Sequence, residues 1–138
     1  MPDIFIYTTF FLTLMKKKVY VSHSQGFDYK NELYKPIRKS SLNQEYDIIL
    51  PHEKSDKLFS SKGFFKTDCN ILVVEASYPK IGVGIEAGWA DAYNVPIIIM
   101  YKKGYKLSNS IQPMSKAIIQ YESIEDMIAK LEKALSKT

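Results

Sequence analysis

The sequence contains a single cysteine, Cys69, and only two histidines, His23 and His52. One cysteine excludes an intramolecular disulfide framework and suits a reducing, cytoplasmic setting. Lying at the start of an apolar run, it is expected to be a buried, inert thiol rather than a nucleophile. Two histidines without a cysteine cluster give no credible zinc site, and no metal or other cofactor is implied. Positive charge is also thinly spread. The net charge is +4, and apart from Lys16-Lys17-Lys18 and Lys102-Lys103 the lysines are scattered, whereas a nucleic-acid polymer calls for a basic face or arm. No apolar run reaches the ~20 residues needed to cross a bilayer. The stretch from Ile4 to Met15 is too short, and Asp3 stands where a secretory signal carries positive charge. Residues 1–15 are therefore expected to be a leader or a mis-assigned start, with Met15 before three lysines as the natural beginning, and residues 16–138 a single domain.

What the chain does contain is an alternation of aliphatic runs and helical patterns. Strands are expected at 18–22 (KVYVS), 46–50 (YDIIL), 70–76 (NILVVEA), 95–101 (VPIIIMY) and 116–121 (KAIIQY). The third is apolar almost throughout, as a parallel strand covered on both faces must be. Helices are expected at 28–40, with Asp28 or the loop serines as cap and a kink or restart at Pro36, at 81–94, and at 123–136 behind Ser123. Residues 53–66 are weakly periodic, with a short helix broken near Gly63. This is an α/β pattern: a flavodoxin-like three-layer sandwich around a five-stranded parallel sheet of order 2-1-3-4-5. That order places the ligand crevice at the carboxyl ends of strands 1 and 3, where the loops Ser22–Gly26 and Ser77–Gly84 meet.

The segment Asp68–Tyr101, DCNILVVEASYPKIGVGIEAGWADAYNVPIIIMY, carries the chemistry. Gly82 and Gly84 let a ligand approach the backbone above strand 3. Glu86 is expected in the first helical turn, where the field of the helix N-terminus favours a carboxylate. Ile85, Gly88, Trp89 and Ala92 form the stripe expected to pack on the sheet, with Glu86 turned away from it. The glycines follow the third strand with a spacing unlike that of a dinucleotide-binding loop.

An aliphatic strand, a short loop, GVGIEAGWA and then Val95-Pro96 resemble the signature of nucleoside 2-deoxyribosyltransferases, especially the branch of 2-deoxynucleoside 5-phosphate N-hydrolases. The similarity extends over most of Lys17–Tyr121, with only the central string specific. The resemblance implies cleavage or transfer at the N-glycosidic bond of a nucleoside or nucleotide. Glu86 would attack the sugar C1′ to form a glycosyl ester, released by water or a second base. Tyr20 matches a tyrosine that helps position the nucleophile, though packing is an equal use for a strand tyrosine. Ser22, His23 and Ser24 occupy the phosphate loop, but without its arginine and glycines; His23 is a binding or loop residue rather than a base. The family aspartate that assists the leaving group falls on Lys62. Glu53, Asp56 or Asp68 would have to replace it, and Asp68 has the capping of strand 3 as its first use. Ser77 belongs to the crevice loop. Ser108 and Asn109, in the loop 106–110, match residues given to a neighbouring subunit's site, which implies a homo-oligomer. The partner implied is a small nucleoside or nucleotide, not a polymer or a membrane. Two alternatives remain: a TIR-like signalling or NAD-cleaving module, suggested by KVYVSHSQGFD, and a non-catalytic nucleotide binder.

Overall fold

The computed structural model describes residues 15–55 and 60–138; the reading of residues 1–14, and of Asp56, lies outside them. Five strands form one sheet: β1 (Lys18–His23), β2 (Asp47–Ile49), β3 (Ile71–Glu75), β4 (Ile97–Lys102) and β5 (Ala117–Tyr121). Their order is β2-β1-β3-β4-β5 and every pairing is parallel, as the sequence pattern requires. The register aligns His23 of β1, Glu75 of β3 and Met100 of β4 across the carboxyl end of the sheet.

Side-chain alternation along the central strands divides the core into two layers. Val19, Val21, Ile71, Val73, Ile98 and Met100 point to one face. There they meet a π-helical turn (Lys30–Tyr34) that runs into α1 (Lys35–Lys39), the short α2 (Leu42–Glu45) and the last helix, α5 (Ile124–Ser136). Tyr20, Leu72, Val74, Ile97 and Ile99 point to the other face, against α3 (Ser61–Thr67) and α4 (Ile81–Ala92). Pro36 sits in the first turn of α1, directly after the π-helical turn, and having no N–H to place in the ladder it marks the passage from π to α geometry that stands where a restart is expected. Asp28 does not cap this helix, for its carboxylate is taken by the Asn31 side chain (2.9 and 3.2 Å). Ser123 caps α5 as expected, accepting from the Asp126 backbone N–H at 3.1 Å.

Two expectations need correction. Gly63 does not break its helix but lies within α3. A lone helical glycine costs only about 1 kcal/mol against alanine, less than the burial of Phe65 beside it returns. On α4 the inward stripe is Val83, Ala87 and Ala90, whereas Ile85, Gly88 and Ala92 are exposed and Trp89 is half-buried. The small alanines let the helix lie close to the sheet, and Glu86, next to Ala87, is carried inward rather than away. Asn94 ends α4 in a left-handed conformation (φ 60°), with Asn94 N–H donating to Asp91 O (3.1 Å) and Val95 N–H to Ala90 O (2.8 Å). This paired closure delivers the chain directly to β4. Among the described residues, no helix is long and apolar enough to cross a membrane.

Candidate active site

At the carboxyl ends of β1 and β3, Ser22 Oγ donates to Glu86 Oε1 at 2.9 Å. Ser22 is fully buried in β1, on the face turned to α4, and Glu86 comes down from the second turn of that helix. The expected first-turn position is thus corrected: Lys80 stands at the N-cap position, without a side-chain cap, and Ile81 begins the helix. Helix-end charge fades beyond the first turn, so hydrogen-bond donors, rather than the helix field, define this carboxylate's surroundings. Tyr20 lies two residues before Ser22 on the same face and is buried, its ring edge-on to Phe65 at 5.0 Å. Its hydroxyl is held well above the usual phenol range, first by burial and then by the charge of Glu86 and a hydrogen bond to it. Two hydroxyls from one strand therefore converge on one carboxylate.

The group borders a cavity of about 300 Å³, whose lining includes Tyr20, His23, His52, Lys80, Gly82 and Glu86, with Trp89 on its wall. A second cavity of about 430 Å³ adjoins it; Lys80 and Val83 are common to both, and Gly84, Ser108 and Tyr78 line the second. A Cβ built on Gly82 or Gly84 would meet nothing within 4 Å, so these glycines leave open space above the helix start. Ser108 borders a cavity of its own chain, beside the start of α4. Asn109 Oδ1 accepts from Gln112 Nε2 (3.3 Å) and lines neither cavity.

His23 points to the opposite face. Its Nδ1 bonds to Ser24 O (2.8 Å) and its Nε2 to the Tyr34 hydroxyl (2.6 Å), which in turn accepts the His52 backbone N–H (3.0 Å). A carbonyl can only accept, so Nδ1 carries the proton and Tyr34 donates to Nε2. Burial lowers its pKa to about 4, and both nitrogens are committed. Ser24 Oγ accepts from Gly26 N–H (3.0 Å). The hydroxyls of the loop are thereby engaged within the protein.

The remaining candidates separate. Asp68 follows α3 at the amino end of β3, exposed and accepting from Thr67 Oγ1 (3.1 Å); the structure does not bring it to the crevice. Glu53 is gripped by Arg38 through two bonds of 2.8 Å, which hold its carboxyl below the usual range. Lys62 lies 5.9 Å over the Trp89 ring. Cys69 is half-buried, its thiol pushed up to about 11 by burial, in keeping with an inert role. Ser77 is buried beneath the crevice loop: its N–H and Oγ donate to Glu75 (2.6 and 3.1 Å), and its Oγ accepts from Lys102 N–H (2.7 Å). Tyr121 also donates to Glu75, whose carboxyl is raised by burial. This clamp, and the Tyr34–His23–His52 chain, escape sequence reasoning because their members come from different elements. The nearest available sign was a glutamate inside an otherwise aliphatic strand.

No protein-family model matches the chain. Over 79 residues it is 33% identical to the putative 2'-deoxynucleoside 5'-phosphate N-hydrolase 1 of Syntrophotalea carbinolica, a match covering 51% of this chain and 52% of that protein. The matched part thus spans about half the length of the curated relative, whose name is that of the branch the GVGIEAGWA string resembles. The structure is similar to that of a CMP N-glycosidase from Clostridium botulinum, with a TM-score of 0.62 over 84% of this chain and 99% of the other, at 19% identity. A conserved protein from Enterococcus faecalis gives 0.64 over 86% and 99%, at 18% identity. At such identities the likeness is one of fold.

Proposed function

We propose that the chain cleaves the N-glycosidic bond of a nucleotide or deoxynucleotide, with Glu86 as the nucleophile. The observation that carries this is the pair of hydroxyls, Ser22 at 2.9 Å and Tyr20, that hold one carboxylate at the edge of a cavity sized for a nucleoside. A Glu86 oxygen forms a bond to C1′ while the C1′–N electron pair departs with the base. Water then hydrolyses the resulting ester and restores the carboxylate. Ser22 and Tyr20 restrain the carboxylate, so little reorganisation is needed at attack. The loop after β1 has spent its hydroxyls, which leaves Lys80, exposed on the wall between the two cavities, as the cation placed to meet a 5′-phosphate.

A homodimer forms part of the same reading. Ile81 (84% exposed) and Ile85 (46%) lie on one side of α4 close to the crevice, and a second copy is the occupant that would cover them. A non-catalytic nucleotide binder has one observation in its favour: Glu86 is the sole carboxylate among the described residues lining the cavity. Incubating the protein with nucleosides, their 5′-phosphates and NAD, and measuring free base, decides between these readings. Release of base from a nucleotide that depends on Glu86 supports the proposal. Tight binding without release from any of them supports the binder.

A further inference from the structure

Breaking a C1′–N bond places negative charge on the departing base, and a donor aimed at that base lowers the barrier. This inference rests on the N-glycosidase reading. The titratable residues bordering the Glu86 cavity can be sorted by their existing partners. Tyr20 is turned to Glu86. His23 has both ring nitrogens engaged. Lys80 stands exposed at the border with the second cavity. His52 differs from all of these. Its backbone N–H is fixed to the Tyr34 hydroxyl at 3.0 Å, and its ring packs edge-on to His23 at 5.6 Å, so the residue is anchored. Yet its Nδ1 is shut away from solvent with no hydrogen-bond partner among the described residues.

That orphaned nitrogen fixes the tautomer. A buried N–H with no acceptor is rarer than a buried acceptor with no donor. Nδ1 therefore keeps the lone pair, and the proton of the neutral ring sits on Nε2, on the opposite edge. We propose that His52 is the leaving-group donor of this site, offering Nε2–H to a carbonyl oxygen or ring nitrogen of the departing base. The electron balance needs no second acid. As the Glu86–C1′ bond forms, the C1′–N pair stays on the base. His52 stabilises the anion through a hydrogen bond and keeps its own proton, and the base takes a proton from water after leaving. This assigns to the segment after β2 the task for which the sequence supplies Lys62, a residue the structure places over Trp89 instead.

The test compares a nucleotide with the same sugar phosphate carrying 4-nitrophenolate, a leaving group that needs no such help. His52→Phe should slow release of base by about 100-fold and release of nitrophenolate by no more than about 3-fold, the loss expected for one donor to a developing charge. His52→Gln, whose amide nitrogen reaches the Nε2 position, should recover much of the rate; His52→Asn, which reaches only the Nδ1 position, should not. The Gln and Asn pair decides the matter even if the Phe variant fails to fold. Equal losses on both substrates, undiminished base release by the Phe variant, or Asn matching Gln would overturn the assignment. A wild-type protein that releases nitrophenolate but never a base would also sink it, while leaving Glu86 as nucleophile. Release of neither product defeats the N-glycosidase reading and His52's part in it together.

Discussion

Replacing Glu86 by Gln separates the charge of this side chain from its shape. The amide oxygen of the variant can still accept the Ser22 hydroxyl, now 2.9 Å from Oε1, and the Tyr20 hydroxyl can turn to accept from the amide N–H. No partner is stranded. Two hydrogen bonds to a charged group become neutral ones, a loss of about 1 kcal/mol each, set against relief from keeping a charge in a half-buried place. The net change in stability should stay within about 2 kcal/mol, and the melting temperature within roughly 8 °C of wild type. Turnover should respond on another scale. An amide oxygen forms no stable ester at C1′, so base release should fall at least ~1000-fold, about 4 kcal/mol of barrier. Nucleotide affinity should change less than about 10-fold, because the lost interaction belongs to the transition state. Trp89 offers the binding assay: it is the chain's single tryptophan and lines the Glu86 cavity, so its fluorescence should respond to a bound base. Chromatography of free base supplies the rate. If the folded Gln variant releases base at the wild-type rate, Glu86 is not the nucleophile.

Three other outcomes are expected. Lys80→Ala should raise KM for a 5′-phosphate by about 10-fold, roughly one exposed charge-assisted contact, and leave the unphosphorylated nucleoside unaffected; steady-state kinetics on the two substrates would show otherwise. His23 has a pKa of about 4 when folded and about 6.5 when unfolded, so between those values the unfolded chain binds more protons. Its contribution is complete above about pH 6.5 and is lost as pH falls toward 4, by about 3 kcal/mol in all. Urea titrations should show this slope flattened in His23→Asn. Glu75, whose raised carboxyl acts in the opposite sense, is present in both proteins and cancels. Sedimentation at micromolar concentration should give a dimer for wild type and a monomer for Ile81→Lys with Ile85→Lys; a monomeric wild type removes the partner copy from the proposal.

The strands were legible because burial on both faces demands unbroken aliphatic runs, and β3 and β4 have them. Glu86 stood out in the sequence through its string, and the structure sets it against Ser22 at the cavity edge. The orientation of α4 was not. With three glycines and three alanines among twelve residues, the helix is apolar on several sides, and no single stripe outweighs the others. Contact with the sheet, where Ala87 and Ala90 allow close approach, decides which side turns inward. Asp68 misled for a related reason. It lies close to β3 in sequence, but the polarity of a parallel strand puts a residue before it at the end remote from the crevice. The role proposed for His52 was hidden because it is argued from a missing partner, and absence of a contact has no sequence pattern.

The strand order also governs when the site comes into being. β1 lies between β2 and β3, and the bond from Lys18 N–H to Asn70 Oδ1 already closes 52 residues of chain. The Ser22–Glu86 bond closes 64. Such parallel, non-local pairings form slowly, since a long loop must be closed before any ladder bond repays it. On a ribosome the first strand must therefore wait for its third-strand neighbour, and Ser22 and Tyr20 wait longer for their carboxylate. Recovery of activity after dilution from denaturant should then trail the return of helical signal and coincide with the docking of α4.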